Sequence, residues 1–256
     1  MGHIRLGRLP RTKRWAEVVE LVGGSASSAA VASATLDAAE GDLARAASDP
    51  GVLRSFYLLT QLPDAARSED FAAALRGLGI QVSRTPSTAE LSAALSDAID
   101  RHINSTRRRT DLGDMAQSAA VETLASLVSG RTASLFGSTP DDVRREVSKL
   151  ATEKQFGTVA RDFFARFAQR FLTYYVSREL PQHVGQDRRF DSAAEQRRFN
   201  DALDLHCKQA SKIVEKFAGT WYSKARFEKD LSEDRTARFV GYALKKMRLE
   251  LRRGDA

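Results

Sequence analysis

The chain has 256 residues and carries 40 Lys and Arg against 33 Asp and Glu, a formal net charge of +7. Its hydrophobic fraction of 42% is enough for a sizeable core and excludes wholesale disorder. A single cysteine excludes an internal disulfide framework, a cysteine-rich zinc module and an iron–sulfur cluster held by this chain alone, and four scattered histidines offer no histidine-built metal site.

Residues 1–14 read as a basic arm, through Arg5, Arg8, Arg11, Lys13 and Arg14. A helix over 12–22 follows, closed by Gly23 and Gly24. Ser25 is placed to cap a long Ala-rich helix reaching about residue 48, where Asp49-Pro50-Gly51 makes a turn. Short helices are expected over 51–62 and 68–78, and residues 80–83 form a solitary strand-like fragment too short to found a sheet. Ser87 and Glu90 have the spacing of a capping box, which opens a helix to about His102. Residues 104–113 read as a loop and 114–129 as a helix.

Beyond that point the signals strengthen. Thr139-Pro140-Asp141-Asp142 supplies a cap, a first-turn proline and acids against the positive end of a helix dipole, with the helix ending near Gly157. Val159, Phe163, Phe167, Phe171 and Tyr175 then recur every four residues, flanked by Ala160, Phe164, Ala168, Leu172 and Val176. This is a wide apolar stripe on a helix stopped by Pro181, with Arg161, Asp162, Arg166 and Arg170 on the opposite face. Ser192 and Glu195 make another capping box, for one helix that presents Phe199, Leu203, His206, Ala210, Ile213, Val214 and Phe217. A last helix over 234–252 carries Phe239, Val240, Ala243, Leu244, Met247 and Leu251. No internal repeat is apparent. The expected fold is all-α, a multi-helix bundle with an Ala-rich N-terminal lobe, a Phe-rich C-terminal bundle and little or no sheet.

Charge and aromatic content divide this chain unevenly. Residues 1–135 hold 15 basic and 15 acidic side chains, so the whole +7 lies in 136–256, with 25 against 18. Setting the basic arm aside leaves 15–135 negative by five, and eleven of thirteen Phe lie beyond 135. The organisation expected is therefore a basic arm over 1–14, an Ala-rich, net acidic helical region over 15–135 and an aromatic-rich basic bundle over 136–256. Small side chains bury little area, at roughly 25 cal/mol per Å², so the middle region should pack more thinly.

No apolar run reaches the roughly eighteen residues that a bilayer span needs. Residues 1–8 lack the apolar stretch and cleavage site of a signal peptide, and Leu6 stands where a myristoylation signal wants Ser or Thr. The expectation is a soluble, cytoplasmic protein without membrane contact.

A search for chemistry returns no catalytic, cofactor-binding or metal-ligating set. Gly23-Gly24-Ser25 lacks the Gly-Lys-Ser/Thr of a phosphate loop and follows a helix, not a strand. His206 and Cys207 point about 100° apart on a helix, which prevents a nucleophile–base pair. Asp201, Asp204 and His206 lack the spacing of a helical di-metal site. Asp141 and Asp142 could suggest a two-metal nuclease, and Glu146 with Lys149 looks like a fragment of a nuclease motif. Such motifs need strands, and helix capping accounts for the two aspartates. Trp221 and Tyr222 fall where the long helix ends or bends, and inter-helix packing is the expected role over base stacking.

Basic clusters remain. They comprise the arm, the Arg107-Arg108-Arg109 loop, Arg188 and Arg189 with Arg197 and Arg198, and Lys245, Lys246, Arg248, Arg252 and Arg253 near the end. Guanidinium clusters pair with phosphate oxygens or carboxylates. The helix dipole is the expected explanation of Lys245 to Arg253 and a solvated turn that of Arg107 to Arg109, with phosphate contact as the alternative. The expected function is a non-catalytic helical adaptor or scaffold subunit of a larger bacterial assembly, protein or nucleoprotein. The alternative is a non-specific DNA- or RNA-binding protein that contacts phosphates through these same residues. A third reading is an enzyme whose residues converge only in three dimensions. A protein partner is expected, with nucleic acid and a homo-oligomer as alternatives that the dipolar charge layout allows.

Overall fold

A computed structural model of the chain describes residues 9–132 and 140–253. Among them run twelve α-helices. The first seven are α1 (Lys13–Gly23), α2 (Ser28–Ala38), α3 (Glu40–Ala46), α4 (Pro50–Ala65), α5 (Phe71–Gly77), α6 (Thr88–Thr106) and α7 (Asp111–Thr132). The remainder are α8 (Pro140–Lys149), α9 (Glu153–Val176), α10 (Ala193–Ala210), α11 (Lys212–Phe227) and α12 (Glu233–Arg252), with a 3₁₀ turn at Leu180–His183. The fold is all-α: extended pairing among the described residues is a single bridge between Val184 and Phe190. No helix of the described residues is long and apolar enough to cross a membrane.

The aromatic stripe makes α9 the central helix, packed by α2, α7, α10 and α11, while α4 lies across α6, α7, α8 and α12. All ten stripe positions from Val159 to Val176 are buried. The core is continuous from Leu9 to Leu251. Phe56 of α4 is fully buried within it, with ring centroids 5.2 Å from Phe163, 5.3 Å from Phe164, 5.4 Å from Phe239 and 6.2 Å from Phe156. Leu135, where the composition changes, and the cap expected at Thr139 lie outside the described residues.

Several helix ends differ from the sequence reading, each for a visible reason. Ser27, not Ser25, caps α2 by accepting from the Ala30 N–H at 3.0 Å. The Ala-rich helix then breaks at Ala39, where Arg14 Nη1 donates to the Asp37 carbonyl at 2.9 Å. The strand-like fragment is instead a helix stop. Gly79 adopts φ 85°, its N–H reaches Arg76 O at 3.0 Å, and the Ile80 N–H reaches Leu75 O at 2.9 Å, burying Ile80 and Leu75.

Helix α6 continues past His102 to Thr106, and α7 starts at Asp111, inside the expected loop. Gly113 there meets Gly51 of α4: a methyl on Gly51 would lie 2.6 Å from the Gly113 Cα. Asp49 secures this crossing, accepting from the N–H groups of Gly51 and Val52 and from Thr110 Oγ1 at 2.6 Å. Gly157 does not end α8. Thr152 caps a new helix by accepting from the Gln155 N–H, and Gly157 sits inside α9 where a Cβ would lie 3.0 Å from Glu215 O. Gly219 of α11 repeats the device, its Cβ position only 2.3 Å from Glu153 O. The helix expected through Phe217 breaks at Ser211, whose hydroxyl donates to Lys208 O at 2.8 Å and bends the chain.

Candidate functional site

The basic residues singled out in the sequence have contrasting surroundings. Arg5 and Arg8 lie outside the described residues. Arg14, Arg248 and Arg252 converge on the acidic α2–α3 junction: Arg14 and Arg248 pair with Glu40 at 3.5 and 2.7 Å, and Arg252 pairs with Asp37. Two cations of the C-terminal region, Arg248 and Arg252, are thus paired with acids of the N-terminal region. Arg253 pairs with Glu250, and Arg109 with Asp100 and Asp114. Arg107 closes α6 in the left-handed region, at φ 53°, and is exposed beside Arg108. Arg11, Lys13, Arg188, Arg197, Arg198 and Lys245 are exposed, and Lys246 lies over the Tyr242 ring at 5.4 Å.

Arg189 is built into the fold. Its guanidinium donates to Leu21 O at 2.6 Å, to Val22 O at 2.9 Å and to Ala26 O, while lying over the rings of Phe190 and Phe199. Three carbonyls around the C-terminal end of α1 are thereby satisfied by one planar fork, against a desolvation cost that lowers its pKa. Arg189→Ala is expected to lower stability by about 2 kcal/mol, the order of a charged hydrogen bond left unmade. Arg189→Lys should recover less than half of that in urea unfolding, since an ammonium cannot reproduce the fork.

His206 and Cys207 have exchanged places relative to the expected helix face. Cys207 lies in the register of Phe199, Leu203 and Ala210 and is fully buried, and burial pushes its thiol up to about 12. His206 sits at the flank with Nε2 2.9 Å from Leu251 O, so that nitrogen carries the proton it donates. Among the described residues no three His, Cys, Asp or Glu side chains gather where they could hold a metal ion. Asp141 and Asp142 occupy the first turn of α8, and Glu146 pairs with Lys149 at 2.6 Å.

The sequence reading missed a groove between α11 and α12. Its volume is about 450 Å³, and its lining includes Phe217 and Trp221 from α11 and Arg238, Phe239 and Tyr242 from α12. Phe217 and Trp221 recur at four residues on α11, as do Arg238 and Tyr242 on α12, so each helix turns one stripe into the groove. Trp221 stacks on Phe239 at 4.2 Å, and Phe217 meets Tyr242 edge-on at 5.0 Å. Tyr222, its sequence neighbour, is fully buried and stacks on Phe156 at 3.8 Å. Both rings therefore pack between helices, as expected, with Tyr222 fully buried and Trp221 half-buried at the groove.

Charge at the groove is unequal. Its acid, Asp230, is held by the Ser232 hydroxyl at 2.6 Å and by Arg235 at 3.2 Å, which keep its carboxyl below the ordinary range. Arg235 also holds Glu228 at 2.5 Å. Arg238 makes no ion pair among the described residues, and the α12 surface beyond it carries Lys245 and Lys246. Tyr242 is 48% exposed, with Lys246 over its ring and Phe217 against its edge. Phe227 at the end of α11 is 89% exposed.

Compared with known proteins, the chain matches no protein-family model, no curated protein and no solved structure.

Proposed function

We propose that this protein is a non-catalytic helical adaptor whose α11–α12 groove receives an acidic, apolar segment of a partner protein. The observation that carries the reading is the groove itself: four aromatic rings and the Arg238 guanidinium, which makes no ion pair among the described residues, line it together. Aromatic and arginine side chains around a partly desolvated cleft are the residue types that dominate binding energy at protein interfaces. A carboxylate delivered by the partner would give Arg238 the counter-ion it lacks, while leucine or phenylalanine side chains cover Trp221 and Tyr242. A phosphate-tracking surface draws less support. Arg109, Arg252 and Arg253 hold carboxylates of their own, Arg14 and Arg248 share Glu40 on an open surface, and Arg189 holds backbone carbonyls.

Selection of a random peptide library on the immobilised protein tests this. The expected consensus combines acidic residues with leucine or phenylalanine at helical spacing. Tyr242→Ala and Arg238→Glu should each weaken the selected peptides tenfold or more, with unchanged melting temperature. Selected peptides should also change the fluorescence of Trp221. Failure to enrich acidic peptides, or enrichment indifferent to both substitutions, overturns the proposal. Single-stranded DNA that displaces the peptides at nanomolar concentration with a steep salt dependence replaces it by the nucleic-acid reading.

A further inference from the structure

A second cleft, of about 640 Å³, lies between α9 and α10 and carries a different chemistry. Arg161, Arg166 and Arg170 line one wall from the face of α9 opposite the aromatic stripe, and Lys208 of α10 and Lys212 at the start of α11 line the other. The three arginine side chains are only 32%, 32% and 24% exposed, so their stems are packed and their forks are held in place. Carboxylates lining the cleft number three, Glu122, Asp162 and Asp204, against five cations.

The way those carboxylates are shared is informative. Glu122 of α7 bridges two guanidinium groups, accepting from Arg166 at 3.1 Å and from Arg170. One negative charge therefore answers two positive ones. Arg161 is satisfied by Asp162 and Glu215, and Lys208 by Asp204 at 2.6 Å, while Lys212 has no ion pair among the described residues. Gln169 and Gln209 add amide groups to the same walls. Arg166 and Arg170, one helical turn apart on α9, bring both forks onto that single carboxylate, and Lys208 and Lys212 line the opposite wall, so an anion with several charged groups along its length is needed to reach both walls. Arginine forks pair bidentately with phosphate oxygens, and the volume falls within the range of small-molecule sites.

We propose that the α9–α10 cleft binds the polyphosphate group of a small molecule, with Arg166 and Arg170 as its principal ligands and Glu122 as the internal anion that it displaces. Lys208 and Lys212 close on the phosphate chain from the opposite wall. The proposal is independent of the peptide groove, whose residues it does not share.

Calorimetric titration of the full chain with inorganic tripolyphosphate is the test, with orthophosphate and a short single-stranded DNA as parallel probes. Tripolyphosphate is expected to bind, and orthophosphate to bind at least tenfold more weakly. Arg166→Ala and Arg170→Ala should each lose tenfold or more. Glu122→Gln should raise affinity threefold or more by removing the competing carboxylate, a gain that impaired folding cannot produce. ATP binding as well as tripolyphosphate assigns the natural ligand to the nucleotides, and ATP failing assigns it to non-nucleotide polyphosphates. No binding of tripolyphosphate at low salt, an unchanged or weakened Glu122→Gln variant, or tighter binding of DNA than of tripolyphosphate overturns the proposal.

Discussion

Phe56→Ala is expected to lower stability by about 3–5 kcal/mol, the cost of removing a buried phenyl ring and leaving a partly collapsed cavity. Phe56 lies among four other rings drawn from α9 and α12, and its own ring stacks on Phe239 with planes 8° apart. Both the apolar transfer and the ring-on-ring geometry are lost together. A typical domain is stable by about 5–15 kcal/mol, so this one change removes about a fifth of the total or more. Urea unfolding followed by far-ultraviolet circular dichroism checks it. A loss under 1 kcal/mol would mean that α4 is not packed against α9 and α12 as described. Phe56→Leu should cost less than half as much, since it keeps most of the volume.

Gly219→Ala should be destabilising by about 3 kcal/mol, although helix propensity alone predicts a gain of up to about 1 kcal/mol for the same change. Its Cβ would stand 2.3 Å from Glu153 O and 2.9 Å from the Glu153 carbonyl carbon, which belong to backbone and cannot rotate away. Helices α9 and α11 would have to separate, and the stack of Tyr222 on Phe156 lies in the layer that separation opens. Gly41→Ala in α3 is the control. The nearest atom to its Cβ position is the mobile end of Arg45 at 3.9 Å, so here propensity decides and the variant should gain about 0.5–1 kcal/mol. Opposite signs for the two glycines are expected in the same denaturation assay. Equal signs would show that the α9–α11 backbones are not in close contact.

These glycines also mark where the sequence was and was not legible. The period of α9 was plain because five aromatic or branched residues recur at four, and burial of every stripe position follows from that spacing. Capping signals at Ser192 and Glu195 were similarly local, and the Glu195 N–H does donate to Ser192 Oγ, at 3.4 Å. Gly113 and Gly157, by contrast, read as a loop end and a helix end because glycine is a poor helix former, and Gly219 stood beside the bend expected at Trp221 and Tyr222. Their partners, Gly51, Glu215 and Glu153, lie far off in sequence, so nothing local distinguishes a helix stop from a helix crossing. The Ser211 break was hidden for a related reason: apolar residues continue in helical register across it. The Ser87–Glu90 motif was half legible. The Glu90 N–H donates to Ser87 Oγ at 3.1 Å, but the carboxylate reaches Ser83, whose N–H donates to it at 2.6 Å and holds it below its ordinary pKa.

The candidate groove escaped the sequence because its residues divide between two helices. Phe217 was read as the core end of a longer helix, Trp221 as packing at a bend, and Arg238 and Tyr242 stood in no cluster. Runs of adjacent cations drew attention instead, yet adjacent residues on a helix face different ways. Of those runs, the members nearest Asp37 and Glu40 pair with the acids of the α2–α3 junction. Isolated cations at helical spacing from aromatic rings were the more informative signal. The arginines of α9 make the same point, since their spacing of five and four placed them along one wall.

The peptide groove is tested most directly by a charge swap at position 238. An acidic peptide selected on the native protein should bind Arg238→Glu at least tenfold more weakly, a loss of about 1.4 kcal/mol or more. The same peptide with its contacting acid changed to lysine should recover most of that loss on the variant, and bind the native protein poorly. That reciprocal pattern, read by fluorescence titration of Trp221, is the result the adaptor account predicts. A swapped peptide that binds Arg238→Glu no better than the original would contradict it.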